Sequence, residues 1–160
     1  MTSSTSGSIS ANRFKDCTNF ETVIVGSSIT SVGDGAFDSC SNLGTVTLND
    51  AVTVVGEGAF NNCQSLETVS LSSNMNALSN NLFKNCSSLQ SITILTSVQT
   101  IGDYVFQLSG LVTLTIPNNV NSIGTGLCNS CSSLVSASIP SSVSSLGTSS
   151  FQNCYSLSTG

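Results

Sequence analysis

Seven cysteines are the side chains best equipped for chemistry in this chain of 160 residues, and their spacing decides which chemistry. Cys17, Cys40, Cys63 and Cys86 stand 23 residues apart, Cys131 follows after 45 and Cys154 after another 23, with Cys128 off the ladder. An odd count cannot pair completely within one chain. Thiols at a constant interval read as small buried hydrophobes at one slot of a repeat. Disulfides between neighbouring rungs are the weaker alternative, because parallel Cβ vectors fit the bond poorly, and a metal site is weaker still. Cys128 and Cys131 have the C-x-x-C form of a redox or zinc half-motif, but there is no second pair and no βαβ context, so both read as core positions. The chain has no His, which excludes Ser-His-Asp and Cys-His mechanisms.

A period of 23 residues is the signature of a solenoid. Two consecutive units show it: Val32 to Leu48 reads VGDGAFDSCSNLGTVTL and Val55 to Leu71 reads VGEGAFNNCQSLETVSL. Set on its aromatic column, the repeat has units starting at Phe14, Phe37, Phe60, Phe83, Phe106, Cys128 and Phe151, six complete and one partial. Cys128 therefore occupies a Phe slot. One residue is deleted between Phe106 and Leu111, which puts Ser109 in the Cys slot of that unit.

The spacings predict the elements that carry these columns. Apolar pairs two apart and flanked by hydroxyls, as in Thr45-Val46-Thr47-Leu48, predict a strand with one buried face. A second apolar pair followed by Gly33, Gly56, Gly102, Gly124 or Gly147 predicts a short extended arm closed by a tight turn at positive φ. From Phe37 to Cys40 to Leu43 the apolar residues are three apart, which predicts a turn of α- or 3₁₀-helix. One such coil cannot bury enough to fold alone, so stability must come from stacking.

The segments Leu43 to Leu48, Leu89 to Ile94 and Leu111 to Ile116 read Leu-x-x-Val/Ile/Leu-x-Leu/Ile, and the rest of the unit reads Ile/Val-Gly-x-x-Ala-Phe-x-x-Cys-x-x-Leu. This pattern resembles the BspA-like (Treponema pallidum type) leucine-rich repeats, over roughly residues 14 to 157. Ala51 and Asn74 stand three after the strand in two units, so the Asn ladder of commoner leucine-rich repeats is not expected. The resemblance implies a leucine-rich-repeat solenoid of parallel strands with short helical turns. It also implies a surface or secreted protein acting in adhesion to host or other cellular proteins.

On that fold the outward strand positions form two hydroxyl rows: Thr22, Thr45, Thr68, Ser91, Thr113 and Ser136, and beside them Ile24, Thr47, Ser70, Thr93, Thr115 and Ser138. They read as a flat sheet face that is either solvated or protein-binding; an ice-binding Thr array is the remote third reading. Asp34, Glu57 and Asp103 share one column that could hold Ca²⁺ between coils, but Asn80, Thr125 and Thr148 occupy it elsewhere, so solvated turn residues are expected. Gly33-Asp34-Gly35 and Gly56-Glu57-Gly58 are too short for a dinucleotide fingerprint. Asn85-Cys86-Ser87 is a glycosylation sequon whose Cys is a core slot.

Composition agrees with this division of columns. Only 7% of residues are charged, net charge is −5, and Arg13, Lys15 and Lys84 form no stripe for nucleic acid or an anionic membrane. No run of 18 apolar residues predicts a membrane span, and MTSSTSGSIS lacks the basic start and apolar core of a signal peptide. The expected organisation is a polar, loosely ordered tail over 1–13 and one solenoid domain over 14–160. The chain starts near one repeat boundary and stops within another, which leaves open a fragment of a longer protein or end-to-end association. The resulting expectation is a non-enzymatic protein-binding module without cofactor or metal, at the cell surface or secreted. An intracellular scaffold of the same fold, in the cytoplasm, is the alternative.

Overall fold

A computed structural model describes residues 7–158. Among them twelve short strands, numbered in chain order, line two sides of a stack of parallel coils, and turns line the third. The first side carries β2 (Thr22–Val25), β4 (Thr45–Leu48), β6 (Thr68–Ser70), β9 (Thr113–Thr115) and β11 (Ser136–Ser138). The second carries β1 (Gly7–Ile9), β3 (Ile29–Val32), β5 (Val54–Val55), β7 (Ala77–Leu78), β8 (Thr100–Ile101), β10 (Ser122–Ile123) and β12 (Ser145–Leu146). Every pairing is parallel, and equivalent residues face each other one repeat apart, as Thr22, Thr45 and Thr68 do. The deleted residue appears in the register as Thr100 opposite Ser122. Within 1–13, β1 pairs with β3, whereas residues 1–6 lie outside the described residues.

The third side departs from expectation. No helix forms there among the described residues. Between Gly33 and Cys40 the backbone alternates: Ala36, Asp38 and Cys40 donate to the carbonyl three residues back, while Gly35, Phe37 and Ser39 donate to Glu57, Ala59 and Asn61 of the following coil. A helix would close every N–H on itself; here half are spent on the neighbouring coil instead. Left-handed residues permit the alternation, at Gly35 and Ser39 (φ 58° and 63°), Gly58 and Asn62 (59° and 57°), and Gly126 and Ser130 (66° and 62°). Asn and Gly accept this region at small cost, but Tyr104 and Leu108 are also held there, at 54° and 58°.

The glycines at 33, 56, 102, 124 and 147 serve another purpose than the positive φ expected of them, since none has one. Their role is close approach. A Cβ on Gly33 would lie 2.5 Å from the Ala11 nitrogen and one on Gly56 2.5 Å from the Asp34 nitrogen, so only glycine lets the coils meet. Each donates its N–H to the coil before, as Gly56 does to Val32 at 2.8 Å. Ser79 occupies this slot in the third unit, where its hydroxyl, not its N–H, bonds the Val55 carbonyl. The second sheet divides at this place, into β1-β3-β5 and β7-β8-β10-β12.

Inside the coils, Phe14, Phe37, Phe60, Phe83 and Phe106 stack with centroids 5.2, 5.4, 5.9 and 6.0 Å apart, the last three pairs within 7° of parallel. Cys128 follows in the ring slot, fully buried. Leu43, Leu66, Leu89, Leu111 and Leu134 form a second buried column, and the inward residues of the strands complete the core. Contiguous burial of this kind is what makes each coil depend on its neighbours.

Candidate functional site: the hydroxyl face

Strand pleating sends alternate side chains to opposite faces, so β4 buries Val46 and Leu48 and turns Thr45 and Thr47 outward. Thr22, Thr68, Ser91, Thr113 and Ser136 of the first row are exposed, as are Ile24, Ser70, Thr93, Thr115 and Ser138 of the second; Thr45 and Thr47 are half-buried between neighbouring strands. Ile24 is the one apolar member and is 74% exposed.

The face is not the flat array expected. The sheet β2-β4-β6 and the sheet β9-β11 are separate, because Ser91 to Ile94, which should join them, is not in a strand. This segment lies between two departures from the repeat, Ser79 in the coil before and the shortened coil after. In the latter Gly110 donates to the Cys86 carbonyl, and a Cβ there would collide with the Ser87 carbonyl. A shallow cleft opens on each side of the segment. One, of about 540 Å³, runs along Glu67, Thr68, Ser88, Gln90 and Ser91. The other, of about 250 Å³, runs along Ser91, Thr93, Thr113, Thr115 and Pro117.

The column flanking the first row changes character along the stack. It holds Glu21, Gly44, Glu67 and Gln90, then Val112 and Val135, which are 37% and 45% exposed. One half of the face is therefore edged by carboxylates and the other by apolar side chains.

The other candidates are absorbed by structure. Asp34 Oδ1 accepts the Glu57 N–H at 2.9 Å, Asn80 Oδ1 that of Asp103 at 2.8 Å, and Asp103 Oδ1 that of Thr125 at 2.7 Å. The column is thus a set of short acceptors bonding the next coil. Glu57 is too long for this and its Oε1 accepts from Asn81 instead. Among the described residues no group of thiols and acids has the geometry of a metal site. The sequon residue Asn85 donates to Asn62 Oδ1 at 2.8 Å.

All seven thiols are free. The ladder members act as donors as well as fillers: Cys40, Cys63, Cys86 and Cys131 bond the carbonyls of Phe14, Phe37, Phe60 and Phe106 in the preceding coil, at 3.1, 3.2, 3.2 and 2.9 Å. Cys154 does the same to Cys128. Burial pushes the Cys40 thiol up to about 11 and the Cys63 thiol up to about 12, and Cys86 well above its ordinary value. Hydrophobicity alone would not have separated Cys from Ala here; the ring-column carbonyls at Phe14, Phe37 and Phe106 accept a thiol besides the N–H of their own turn, a signal absent from the spacing.

The family model described as "BspA type Leucine rich repeat region (6 copies)" matches residues 7–132 and 41–158. No curated protein matches the chain. Among solved structures, the Treponema pallidum leucine-rich repeat protein is similar at 27% identity and TM-score 0.71, over 87% of this chain and 78% of that one. A leucine-rich cell surface protein of Faecalibacterium prausnitzii is similar at 30% identity and TM-score 0.69, over 88% of this chain but only 36% of its own length. The pneumococcal vaccine antigen PcpA shares the fold, at 18% identity and TM-score 0.59, over 87% of this chain and 50% of that one.

Proposed function

Since the chain belongs to the BspA-type leucine-rich repeat family, we propose that it is a non-enzymatic protein-binding module, acting in adhesion or recognition at a cell surface or in secreted form through its hydroxyl face. The observation that carries this reading is the face itself. Two rows of uncharged hydroxyls, broken by Ile24 and half-buried only at Thr45 and Thr47, face outward on the first strand side, whereas the Asp34, Asn80 and Asp103 column is occupied in bonding coil to coil. Each hydroxyl offers one donor and two acceptor lone pairs without a formal charge to desolvate, so it can pair with either kind of partner group. Exposed Val112 and Val135, edging the half of the face that carries Thr113 and Ser136, add apolar contact area to it. The surface location is supported by the name of the Faecalibacterium prausnitzii relative.

The test is binding of the purified chain to parallel panels of immobilised extracellular-matrix proteins and cytosolic proteins, with and without Thr47→Lys, Thr93→Lys and Thr115→Lys together. The expected result is saturable binding that the triple variant weakens at least about tenfold, a cost of about 1.4 kcal/mol, with the urea midpoint nearly unchanged. Equal binding by the variant overturns the assignment of the face. Binding confined to cytosolic proteins overturns the surface reading in favour of the intracellular scaffold.

A further inference from the structure

The sixth unit differs from all others in its core. There the ring slot holds Cys128, so the turn that presents a Phe and a thiol in the units starting at Phe14, Phe37, Phe60, Phe83 and Phe151 presents two thiols, Cys128 and Cys131, both fully buried. Cys131 N donates to the Cys128 carbonyl at 3.0 Å, closing a turn. The ends of such a turn lie less than about 7 Å apart at Cα, within the span of a disulfide. Both side chains enter the same core layer. Rung neighbours on the ladder lack this geometry, since their side chains run parallel from successive coils.

A second peculiarity meets the first. Because the fifth unit is one residue short, Ser109 fills its thiol slot, and Ser109 Oγ lies 3.3 Å from Cys131 Sγ. Cys131 therefore has three hydrogen-bonding groups around it, Cys128 in its own turn and, in the coil before, Ser109 and the Phe106 carbonyl to which its thiol donates at 2.9 Å. Hydrogen bonds from the Cys128 thiol and from Ser109 hold the Cys131 thiol below its ordinary value against the burial that raises it, while Cys128 is pushed up. The ladder thiols Cys40, Cys63 and Cys86 move the other way.

We infer that Cys128 and Cys131 form an oxidisable dithiol, a modification site that takes small-molecule disulfides and closes to a bond within one turn of the sixth coil. The Cys131 thiolate attacks one sulfur of the reagent, forming a mixed disulfide and releasing one thiolate. The Cys128 thiolate then attacks Cys131 Sγ, forming the Cys128–Cys131 bond and releasing the second. Two protons leave the protein and two electrons pass to the reagent, which departs as two thiols. Full burial makes opening of the coil the gate to the reaction, so its rate follows local stability.

Reduced full-length chain, equilibrated in glutathione buffers of rising oxidised fraction, quenched by alkylation and mapped by mass, tests this. The expected result is one step that removes two of the seven thiols, lowers the mass by two hydrogens and yields a peptide linking Cys128 to Cys131, with Cys40, Cys63 and Cys86 still alkylated after denaturation. Cys128→Phe, which restores the ring column, and Cys128→Ser should each abolish the step while keeping the circular dichroism spectrum; either one that folds suffices. Seven alkylated thiols throughout, a lasting glutathione adduct on Cys131 without the link, or a link to any other Cys overturns the inference.

Discussion

The turn side and the strand sides of this molecule are made by the same repeats, yet only one of them survives the imperfections of those repeats. On the turn side the bonds from coil to coil run without a gap, from Asn12, Phe14 and Asp16 through to Gly126, Cys128 and Ser130. Both strand sides break: the second at Ser79, the first at Ser91 to Ile94. The difference lies in what each side demands. A parallel ladder needs flat strands in close register, which one Cβ in a glycine slot or one missing residue disturbs. The turn side needs only alternate N–H groups aimed along the axis, and it tolerates Gly, Ser, Asn, Tyr or Leu at its left-handed positions. The broken sides are left with clefts and hydroxyls facing solvent, and the unbroken side with the ring stack beneath it.

Four substitutions test this contrast. The largest effect is expected from the ring stack: Phe60→Ala, at a fully buried site between two parallel rings, should cost about 3–5 kcal/mol in urea unfolding, against under about 2 for Val69→Ala on the strand side. Equal costs would show that the two sides carry the stack alike. Next come the glycine slots. Gly56→Ala should cost about 2–3 kcal/mol because its Cβ meets the Asp34 nitrogen at 2.5 Å. The converse change, Ser79→Gly, should close the split sheet, read as slower hydrogen exchange of the residue 79 amide; exchange as fast as in the parent would place the cause elsewhere.

The smallest effect is one of pH. The folded state holds the Cys63 thiol protonated up to about 12, from an ordinary value of 9.0. Between those values the unfolded chain binds fewer protons, so the contribution is complete below pH 9 and is lost as pH rises towards 12, by about 1 kcal/mol from this thiol between pH 9 and pH 10. Cys63→Ala should flatten that part of the stability curve, and an unchanged slope would mean that the thiol is not what titrates.

Much of this was legible from spacing alone, because a repeat converts position into place. The Phe and Cys columns, the inward pairs such as Val46 and Leu48, and the outward hydroxyls all stand where the 23-residue register puts them. What spacing could not decide was how peptide groups are paired. Apolar residues three apart at Phe37, Cys40 and Leu43 serve a helix and a run of turns equally well, and the choice rests on bonds to the next coil that a single unit does not contain. For the same reason spacing predicts a conformational role for glycines whose work is contact, and Ser91-Ile92-Thr93-Ile94, as good a strand pattern as any in the chain, lies outside a strand, between the Ser79 slot and the shortened coil. The candidate face was visible as composition; its division into two sheets was not.

The continuous side has an electrical consequence. In each coil, peptides such as Asp34–Gly35, Ala36–Phe37 and Asp38–Ser39 point their N–H forwards and their carbonyl back along the stack. Ladders of parallel strands send alternate peptides both ways and leave little net moment, but here the moments share one sign, as in a helix. The solenoid therefore has a polar axis that follows the direction of the chain, drawn from backbone alone in a protein with few charged side chains. Potential rises from its early coils towards its later ones along one flank.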